Sequence, residues 1–401
     1  MVSYNYSRLR KKEVHSQIME LAQRYQNKKP SGMVQVFQAI DKMQGVLNLS
    51  IGEPDFDTEP DIIDAAAKAA KEGFTHYPPL QGFLDLREAV CAYWERHHKF
   101  KASPDEVYIS AGSLHVPWLA LGALLNPGDE ILLFEPYFTP YVAQIKGNGG
   151  VPVTIKTREE NNFAPSIEEL EAAVTSKTRG IILNYPSNPC GRVLSKSQLE
   201  EIAKFVLKHD LFVMSDEIYE SMVYNGEHTC FANIDGMRER TLLIAGVAKS
   251  HCMTGWRIGY VFAPQNVINT MCVNSSYQTY GVNTLSQKAA CYALNTQDAK
   301  VKERSQIFAD RMKFVETRLN SMKGVKCHPA EGAFYLFPDI SGTGLTSEDF
   351  TWKLLNSKKV AVLPGNAFGA TGEGYLRIAC TQSMEILTKA MDAMKEFCEE
   401  V

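Results

Sequence analysis

Short apolar runs alternate with amphipathic segments of helical period from about residue 105 of this 401-residue chain. The runs are rich in β-branched residues and lie between turn residues; they are VYIS (107–110), ILLF (131–134), VPVTI (151–155), GIILN (180–184), LFVMS (211–215), TLLIA (241–245) and IGYVFA (258–263). The alternation predicts an α/β fold whose mostly parallel, seven-stranded sheet is covered by helices on both faces. Because the last two runs are too close for a helical crossover, IGYVFA is predicted to be antiparallel.

Two serines predict where helices begin between these strands. Ser166 is followed three residues later by Glu169, and Ser197 is followed by Glu200, which is the spacing of a capping box. Apolar residues at helical spacing follow both pairs. We therefore expect one helix to begin at each serine.

The pattern changes over residues 300–401, where a long helical segment is followed by short strands and a final helix. We expect these residues to form a smaller α+β domain. The predicted division is a large domain at 47–290, which would bind the ligand, and a small domain built from residues 1–46 and 291–401.

Composition excludes several classes of protein. The chain is 45% hydrophobic and 22% charged, as globular proteins are, and its 46 acidic and 42 basic residues leave no basic excess for nucleic acid. The nine cysteines contain no C-x-x-C pair, which favours a reduced, cytoplasmic protein and indicates no zinc or other metal site. No stretch reaches the roughly 18 apolar residues of a membrane span, so no membrane association is expected.

Residues with useful chemistry follow the predicted strands, which is where ligands bind in open α/β sheets. Small residues after the first run leave backbone N–H groups free to hold a phosphate at a helix N-terminus: Ala111, Gly112 and Ser113. Later runs are followed by an aromatic ring, an amide, a carboxylate, a phenol, an amine and a guanidinium: Phe138, Asn188, Asp216, Tyr219, Lys249 and Arg257. Taken singly, each has a plain structural explanation as a turn, a cap, a buried ring or a surface lysine.

One ligand would use these groups together. A phosphate needs the helix N-terminus and Arg257, a flat ring needs Phe138 as a stacking surface, and a pyridinium nitrogen needs the anionic Asp216. An aldehyde needs the amine of Lys249. The ligand with these four parts is pyridoxal phosphate.

The sequence resembles the class I and II aminotransferases of pyridoxal phosphate fold type I, within the microbial aspartate, aromatic and broad-range subgroup. The matching motifs run in family order over nearly the whole chain and include LNLSIGEPDFDTE, HYPPLQGFLDLREAV, NYPSNPCG, SDEIYE, AKSHCMTGWRIGY, EGAFYLF and GYLRIACTQS. The resemblance implies an enzyme that moves an amino group between an L-amino acid (aromatic, aspartate or broad range) and a 2-oxo acid such as 2-oxoglutarate. Ping-pong kinetics are expected.

The resemblance also implies roles for single residues. Lys249 would bind the cofactor aldehyde covalently and act as the base, and Asp216 would keep the pyridine nitrogen protonated. Tyr219 would donate a hydrogen bond to the ring 3-oxygen. The ring and phosphate would be held by Phe138, Asn188, Ala111, Gly112, Ser113 and Arg257.

Substrate and partner residues follow from the same resemblance. Arg377 would bind the substrate α-carboxylate, helped by Asn188 and the backbone of Gly52. Tyr77 would reach the phosphate of the other subunit, which implies a homodimer. Aspartate-selective members often carry a lysine where this chain has Ser113, so aromatic or broad specificity is favoured.

Four residues depart from the family pattern and leave an alternative open: His115, Pro117, Cys190 and Gly246. That alternative is a lyase, synthase or oxidase of the same fold type, whose chemistry begins in the same way. A sensor domain of a transcription regulator would need an attached basic winged helix, for which residues 1–46 are too short. A nucleotide-binding protein would need a Walker A sequence, which is absent from the chain.

Overall fold

The computed structural model describes residues 31–401, together with Met19 and Ala22. Most of the predicted segment 1–46 therefore lies outside the described residues. The described helices are α1 (Gly32–Ile40), α2 (Pro60–Lys71), α3 (Leu84–His98), α4 (His115–Leu124), α5 (Pro140–Gly147), α6 (Ile167–Ala173), α7 (Lys196–Lys208), α8 (Gln265–Ser276), α9 (Thr284–Thr296), α10 (Asp298–Leu319), α11 (Ser347–Lys358) and α12 (Met384–Glu400). The described strands are β1 (Leu47–Asn48), β2 (Val107–Ser110), β3 (Glu130–Glu135), β4 (Val151–Lys156), β5 (Thr178–Asn184), β6 (Phe212–Asp216), β7 (Thr241–Gly246), β8 (Gly259–Phe262), β9 (Tyr335–Leu336), β10 (Val360–Ala361), β11 (Leu363–Pro364) and β12 (Leu376–Ala379).

Seven strands form the central sheet in the order β2-β8-β7-β6-β5-β3-β4. Strands β3 to β7 pair in parallel, whereas β8 is antiparallel to both of its neighbours, β2 and β7. The seven apolar runs and the antiparallel direction of the last one are therefore confirmed.

Helices cover both faces of this sheet because successive strand residues point to opposite sides. Leu132 and Val213 belong to one apolar cluster with Ile202 of α7. Their neighbours Leu133 and Met214 belong to a second cluster, which contains residues of α4, α5 and α8. The carboxyl ends of the buried strands are thus held at one rim, where side chains from different strands can meet.

One of the two predicted helix starts is wrong. Ser166 does cap α6, since its hydroxyl accepts the N–H of Glu169. Helix α7, however, is capped by Ser195, which exchanges hydrogen bonds with Gln198: the backbone of each donates to the side chain of the other, at 3.3 and 2.9 Å. Glutamine supports a capping box as glutamate does, so an equivalent box two residues earlier replaces the one predicted at Ser197.

The C-terminal region, residues 298–401, has its own small sheet. Strand β12 lies between β11 and β9 and is antiparallel to both. Strand β10 instead pairs in parallel with β1, from the other end of the described chain. Apolar residues of α10, α11 and α12 pack over these strands in one cluster. Within the described residues, no helix is long and apolar enough to cross a membrane.

Candidate active site

A cavity of about 260 Å³ lies at the rim of the central sheet, where β5 and β6 end, and also touches β9, β12 and α1. We call it the Lys249 cavity. All but two of the site residues predicted from the sequence belong to its lining. The ten that do are Gly52, Gly112, Ser113, Phe138, Asn188, Asp216, Tyr219, Lys249, Arg257 and Arg377. Segments more than 300 residues apart in sequence therefore meet at one place.

The two exceptions are Ala111 and Tyr77. Ala111 precedes the lining residue Gly112 but is not part of the lining itself. Tyr77 is 83% exposed, and its ring contacts that of Tyr280 with 4.9 Å between centroids. A single chain therefore does not bring Tyr77 together with the other predicted residues.

Lys249 follows β7 and points its amine at the chain segment after β1. Its Nζ donates to the carbonyl oxygen of Gly52 at 2.6 Å. Burial lowers the pKa of this amine from its usual 10.5 to about 8, and the nearby Glu53 carboxylate opposes the shift. A substantial fraction of Lys249 is therefore neutral near pH 8, as a nucleophile or base requires.

Asp216 is the last residue of β6 and is buried. Its carboxylate accepts a hydrogen bond from the Tyr141 hydroxyl at 2.6 Å and a longer one, at 3.3 Å, from the Ile218 N–H. Burial raises the pKa of Asp216 from 3.8 to about 6, and the Tyr141 hydrogen bond opposes the shift. The carboxylate is therefore mostly charged at neutral pH.

An anion cradle lies where the turn after β2 meets Arg257. Gly112 has a φ of +81°, and a Cβ there would lie 2.5 Å from Arg257 Nη2, so only glycine allows this approach. The guanidinium donates through Nη1 to the Thr254 carbonyl at 3.0 Å. Among the described residues, no carboxylate forms an ion pair with Arg257. Its charge is thus left for a ligand anion.

Arg377 is held from several sides and is buried. Its Cζ lies 4.7 Å from the ring centroid of Tyr335 and 5.1 Å from that of Phe368. Its Nη1 donates to Asn188 Oδ1 at 3.2 Å, and its Nη2 donates to the Ser50 carbonyl. Over the described part of the chain, no acid pairs with it, so a carboxylate ligand would supply the missing counter-charge.

Several lining residues were not predicted. Tyr141 sits in α5 and Tyr335 in β9, and in the sequence each resembles an ordinary core aromatic. Only the structure distinguishes them from core residues, because it places Tyr141 beside Asp216 and Tyr335 beside Arg377. The cavity also has an apolar wall, which consists of Met33, Phe37, Ile51, Leu114 and Pro117.

The structure explains some of the departures from the family pattern. A Cβ at Gly246 would lie 3.0 Å from both Gly259 Cα and the Ile258 carbonyl oxygen, so a larger residue would press on β8. His115 does not line the cavity, and its Nε2 forms a hydrogen bond with Gln278 at 3.0 Å. Pro117 is the third residue of α4, where no intrahelical N–H bond is lost.

Pyridoxal phosphate fits the residues present. The cradle at Gly112 offers backbone and guanidinium donors for a phosphate, and the buried Asp216 offers an anion for a ring nitrogen. Lys249 offers an amine for an aldehyde. Arg377 remains for the α-carboxylate of an amino acid.

Known proteins similar to this chain have the same organisation. The family model for aminotransferases of class I and II matches residues 44–394. The aromatic-amino-acid aminotransferase 2 of Thermococcus litoralis and the aspartate aminotransferase of Pyrococcus abyssi are each 40% identical over 95% of this chain and 99% of their own length. The crystal structure of an aromatic aminotransferase from Pyrococcus horikoshii superposes with a TM-score of 0.87 at 40% identity, covering 91% of this chain and 99% of the other.

The fold expectation is confirmed by these similarities, and an aminotransferase is favoured over a lyase, synthase or oxidase of the same fold type. The family depends on pyridoxal phosphate and acts on amino acids and 2-oxo acids. The chain therefore belongs to the class I and II aminotransferases and is a pyridoxal phosphate-dependent enzyme.

Proposed function

We propose that this aminotransferase prefers aromatic or other large apolar L-amino acids as donors and uses a 2-oxo acid such as 2-oxoglutarate as acceptor. The cations of the described cavity lining carry the proposal: they are Lys249, Arg257 and Arg377. Each has a use at the cofactor or the α-carboxylate. The wall left for the substrate side chain is apolar, and Ser113 offers no charge to a distal carboxylate.

The residues at the centre of the cavity would divide the chemistry between them. Bound pyridoxal phosphate supplies an aldehyde for the amino group and a cationic ring that takes up electrons. Lys249 would hold the aldehyde until the substrate amino group takes its place. The freed amine would then take the proton from the substrate Cα and deliver it to the cofactor carbon C4′. Asp216 would keep a proton on the ring nitrogen, and Tyr219 would donate a hydrogen bond to the ring 3-oxygen.

Binding residues surround this centre. Phe138 would stack on the ring, and Asn188, already bonded to Arg377, would lie between the ring and the substrate carboxylate. The phosphate would be held by the Ala111–Ser113 turn and by Arg257. The Gly52 carbonyl, which accepts from Lys249, would lie beside the incoming amino acid.

Arg377 gives the sharpest test of the substrate assignment. Truncating one partner of a buried, hydrogen-bonded charge pair costs about 2–5 kcal/mol, so Arg377→Ala is expected to lower kcat/KM about 30- to several thousand-fold for every amino acid. Simple amines, which lack the carboxylate, should lose much less. A variant that still distinguishes amino acids from amines as wild type does would place the carboxylate elsewhere.

Transamination itself is tested by a single half-reaction. With an amino donor and no acceptor, each site should release one equivalent of 2-oxo acid and then stop. Continued release, or elimination products, would favour a lyase or oxidase. A panel of donors against 2-oxoglutarate then ranks aromatic, aliphatic and acidic side chains.

Aspartate is the second candidate donor, because the relative from Pyrococcus abyssi is an aspartate aminotransferase. Placing a cation in the cavity by Ser113→Lys should raise kcat/KM for aspartate relative to phenylalanine about tenfold, the effect of ~1.4 kcal/mol. Ser357→Lys, on the exposed part of α11, is the control. A wild-type preference for aspartate would contradict the proposed aromatic selectivity.

We also propose a homodimer in which Tyr77 completes the partner's phosphate site. Tyr77 and Tyr277 are more than 80% exposed, and Tyr280, which contacts Tyr77, is 52% exposed, so this chain presents an aromatic surface without cover. Mixing Lys249→Ala chains with Tyr77→Phe chains should form heterodimers with one intact site, and activity should rise. Heterodimers without a rise would separate Tyr77 from the partner's site.

Two further assignments are proposals of the same kind. The division into 47–290 and 1–46 with 291–401 is supported by the separate apolar cluster of the C-terminal region, although the β1–β10 pair crosses it. A cytoplasmic location is supported by the nine cysteines, all of which are free. Limited proteolysis tests the division through cleavage within residues 285–310. Cell fractionation tests the location.

A further inference from the structure

Tyr335 contacts both Tyr219, the proposed binder of the cofactor ring oxygen, and Arg377, the proposed carboxylate binder. It begins β9, is 2% exposed and belongs to the cavity lining. Its hydroxyl lies 2.9 Å from that of Tyr219, and the two rings meet edge to face with 5.8 Å between centroids. One phenol thus contacts another that is proposed to bind the cofactor ring.

The ring of Tyr335 has a second contact. Arg377 Cζ lies 4.7 Å from the Tyr335 ring centroid and 5.1 Å from the Phe368 ring centroid. The two faces leave the guanidinium few orientations, and Asn188 and the Ser50 carbonyl set its rotation within them. The ring therefore orients the proposed carboxylate binder.

The third contact is with the backbone beside Lys249. A Cβ on Gly52 would overlap the Tyr335 hydroxyl oxygen, so the backbone here packs directly on the phenol. The carbonyl of Gly52 accepts the hydrogen bond from Lys249 Nζ at 2.6 Å. Tyr335 thus adjoins the segments that carry the ring-binding, carboxylate-binding and amine-binding groups.

Either phenol could donate in the hydrogen bond between them, and the charge beside Tyr335 favours one direction. A cation against the ring face of Tyr335 withdraws electron density from it and makes its hydroxyl the stronger donor of the pair. When Tyr335 donates to Tyr219, the Tyr219 hydrogen is left to point at the cavity. It can then be donated to an anionic oxygen on a ligand.

We propose that Tyr335 is a positioning residue with two separable roles: its hydroxyl directs the Tyr219 hydrogen toward the cofactor ring oxygen, and its ring orients Arg377 for the substrate carboxylate. The inference rests on the proposed roles of Tyr219 and Arg377. It adds a residue that links cofactor binding to substrate binding.

Two variants separate the roles. Tyr335→Phe removes only the hydroxyl, so the pH midpoint of the bound-cofactor absorbance should rise, because the ring oxygen loses support for its anionic form. The KM for the amino acid should stay near wild type. Tyr335→Leu removes the ring as well, so it should show the same midpoint change and also raise KM about 2- to 30-fold.

A control and a double variant complete the experiment. Tyr260 is another buried tyrosine, whose hydroxyl accepts from Trp94 Nε1 at 3.1 Å outside the cavity. Tyr260→Phe should change neither readout. In a Tyr219→Phe background, Tyr335→Phe should cause no further change in the absorbance midpoint.

The outcomes distinguish this inference from the proposed function. If Tyr335→Phe leaves the midpoint at its wild-type value, or raises KM as much as Tyr335→Leu, the two-role proposal is overturned. If wild type transaminates and Arg377→Ala spares amino acid recognition, the carboxylate assignment fails first. Should Tyr335→Leu not fold, the midpoint of Tyr335→Phe and its double variant still decide the hydroxyl role.

Discussion

The segment from Asp216 to Glu220 carries two buried carboxylates that are each bonded to a tyrosine but line different cavities. Tyr141 donates to Asp216 at 2.6 Å, and Tyr93 donates to Glu220 at 2.8 Å. Burial raises the pKa of Asp216 to about 6 and that of Glu220 to about 7. By these local measures the two pairs are alike.

Their surroundings differ in what is left unpaired. The cavity beside Glu220, which we call the Glu220 cavity, is larger, at about 760 Å³, and is lined by His97, His98 and His228. His228 is paired with buried Glu217 at 2.6 Å, and burial lowers the pKa of His98 to about 3. The Lys249 cavity instead gathers two guanidinium groups, Arg257 and Arg377, for which the described part of the chain supplies no acid partner. Exposed lysines without an ion pair to any described residue, Lys99 and Lys302, also line the Glu220 cavity. The distinguishing feature of the Lys249 cavity is therefore Arg377, a buried guanidinium without an acid partner among the described residues.

The largest expected loss of kcat follows replacement of Lys249. Lys249→Ala removes both the proposed covalent anchor and the proposed base, and loss of the base alone should lower kcat about 10²- to 10⁴-fold. His251, two residues further on, contacts Tyr93 on the other side with 6.0 Å between ring centroids. His251→Asn should keep most of its activity. If Lys249→Ala and His251→Asn lowered kcat equally in steady-state assays, the catalytic chemistry would not be confined to the Lys249 cavity.

The opposite pattern is expected at His228. Leaving a buried acceptor without one of its hydrogen-bond partners costs about 1–3 kcal/mol, so His228→Ala should lower the urea midpoint. Glu217 would lose His228 and keep only the Ser215 hydroxyl and the Phe231 N–H. Turnover of the folded fraction should change little. A variant with normal stability and impaired turnover would assign chemistry to the Glu220 cavity.

Neutralising each carboxylate compares the two pairs directly. Asp216→Asn should lower kcat about 10²- to 10³-fold, the effect of losing one oriented electrostatic group at a reacting centre. Glu220→Gln keeps an acceptor for Tyr93 and should leave kcat near wild type. Single-turnover rates decide, and wild-type proton transfer in Asp216→Asn would disprove its role at the ring nitrogen.

The smallest expected change is in pH dependence. In its proposed role Asp216 must be charged, so activity should fall as pH drops through its pKa. Tyr141→Phe removes a hydrogen bond that lowers this pKa. The acid limb of kcat/KM should therefore move upward by about one to two pH units, the effect of a charged hydrogen bond. Tyr93→Phe should leave the limb in place. A limb unmoved in Tyr141→Phe would exclude control by Asp216.

The pH dependence of stability that Asp216 contributes runs opposite to the pH dependence of activity. Because the folded pKa of Asp216 lies above its usual 3.8, the folded chain binds more protons than the unfolded chain between about pH 4 and 6. The Asp216 contribution to stability is therefore present at low pH and declines as pH rises through that range. Activity and this contribution change in opposite directions.

The sequence predicts what local pattern determines. Periodicity located all seven strands of the sheet, and the carboxyl-end rule located Asp216 and Lys249, since Asp216 ends β6 and Lys249 lies three residues after the end of β7. It could not predict Tyr141 or Tyr335, whose partners lie 75 and 42 residues away in the chain. It also missed the β1–β10 pair, because nothing local in a two-residue strand specifies a partner more than 300 residues distant.

Lys249, among all the lysines of the chain, is proposed to form the bond to the cofactor. Reducing the holoenzyme with borohydride makes that bond permanent, and mass spectrometry of the digested protein then locates it. We expect the reduced cofactor on the peptide that contains Lys249, and none bound covalently in Lys249→Ala. Attachment to another lysine, or an unchanged covalent adduct in the variant, would show that Lys249 is not the residue that binds the cofactor.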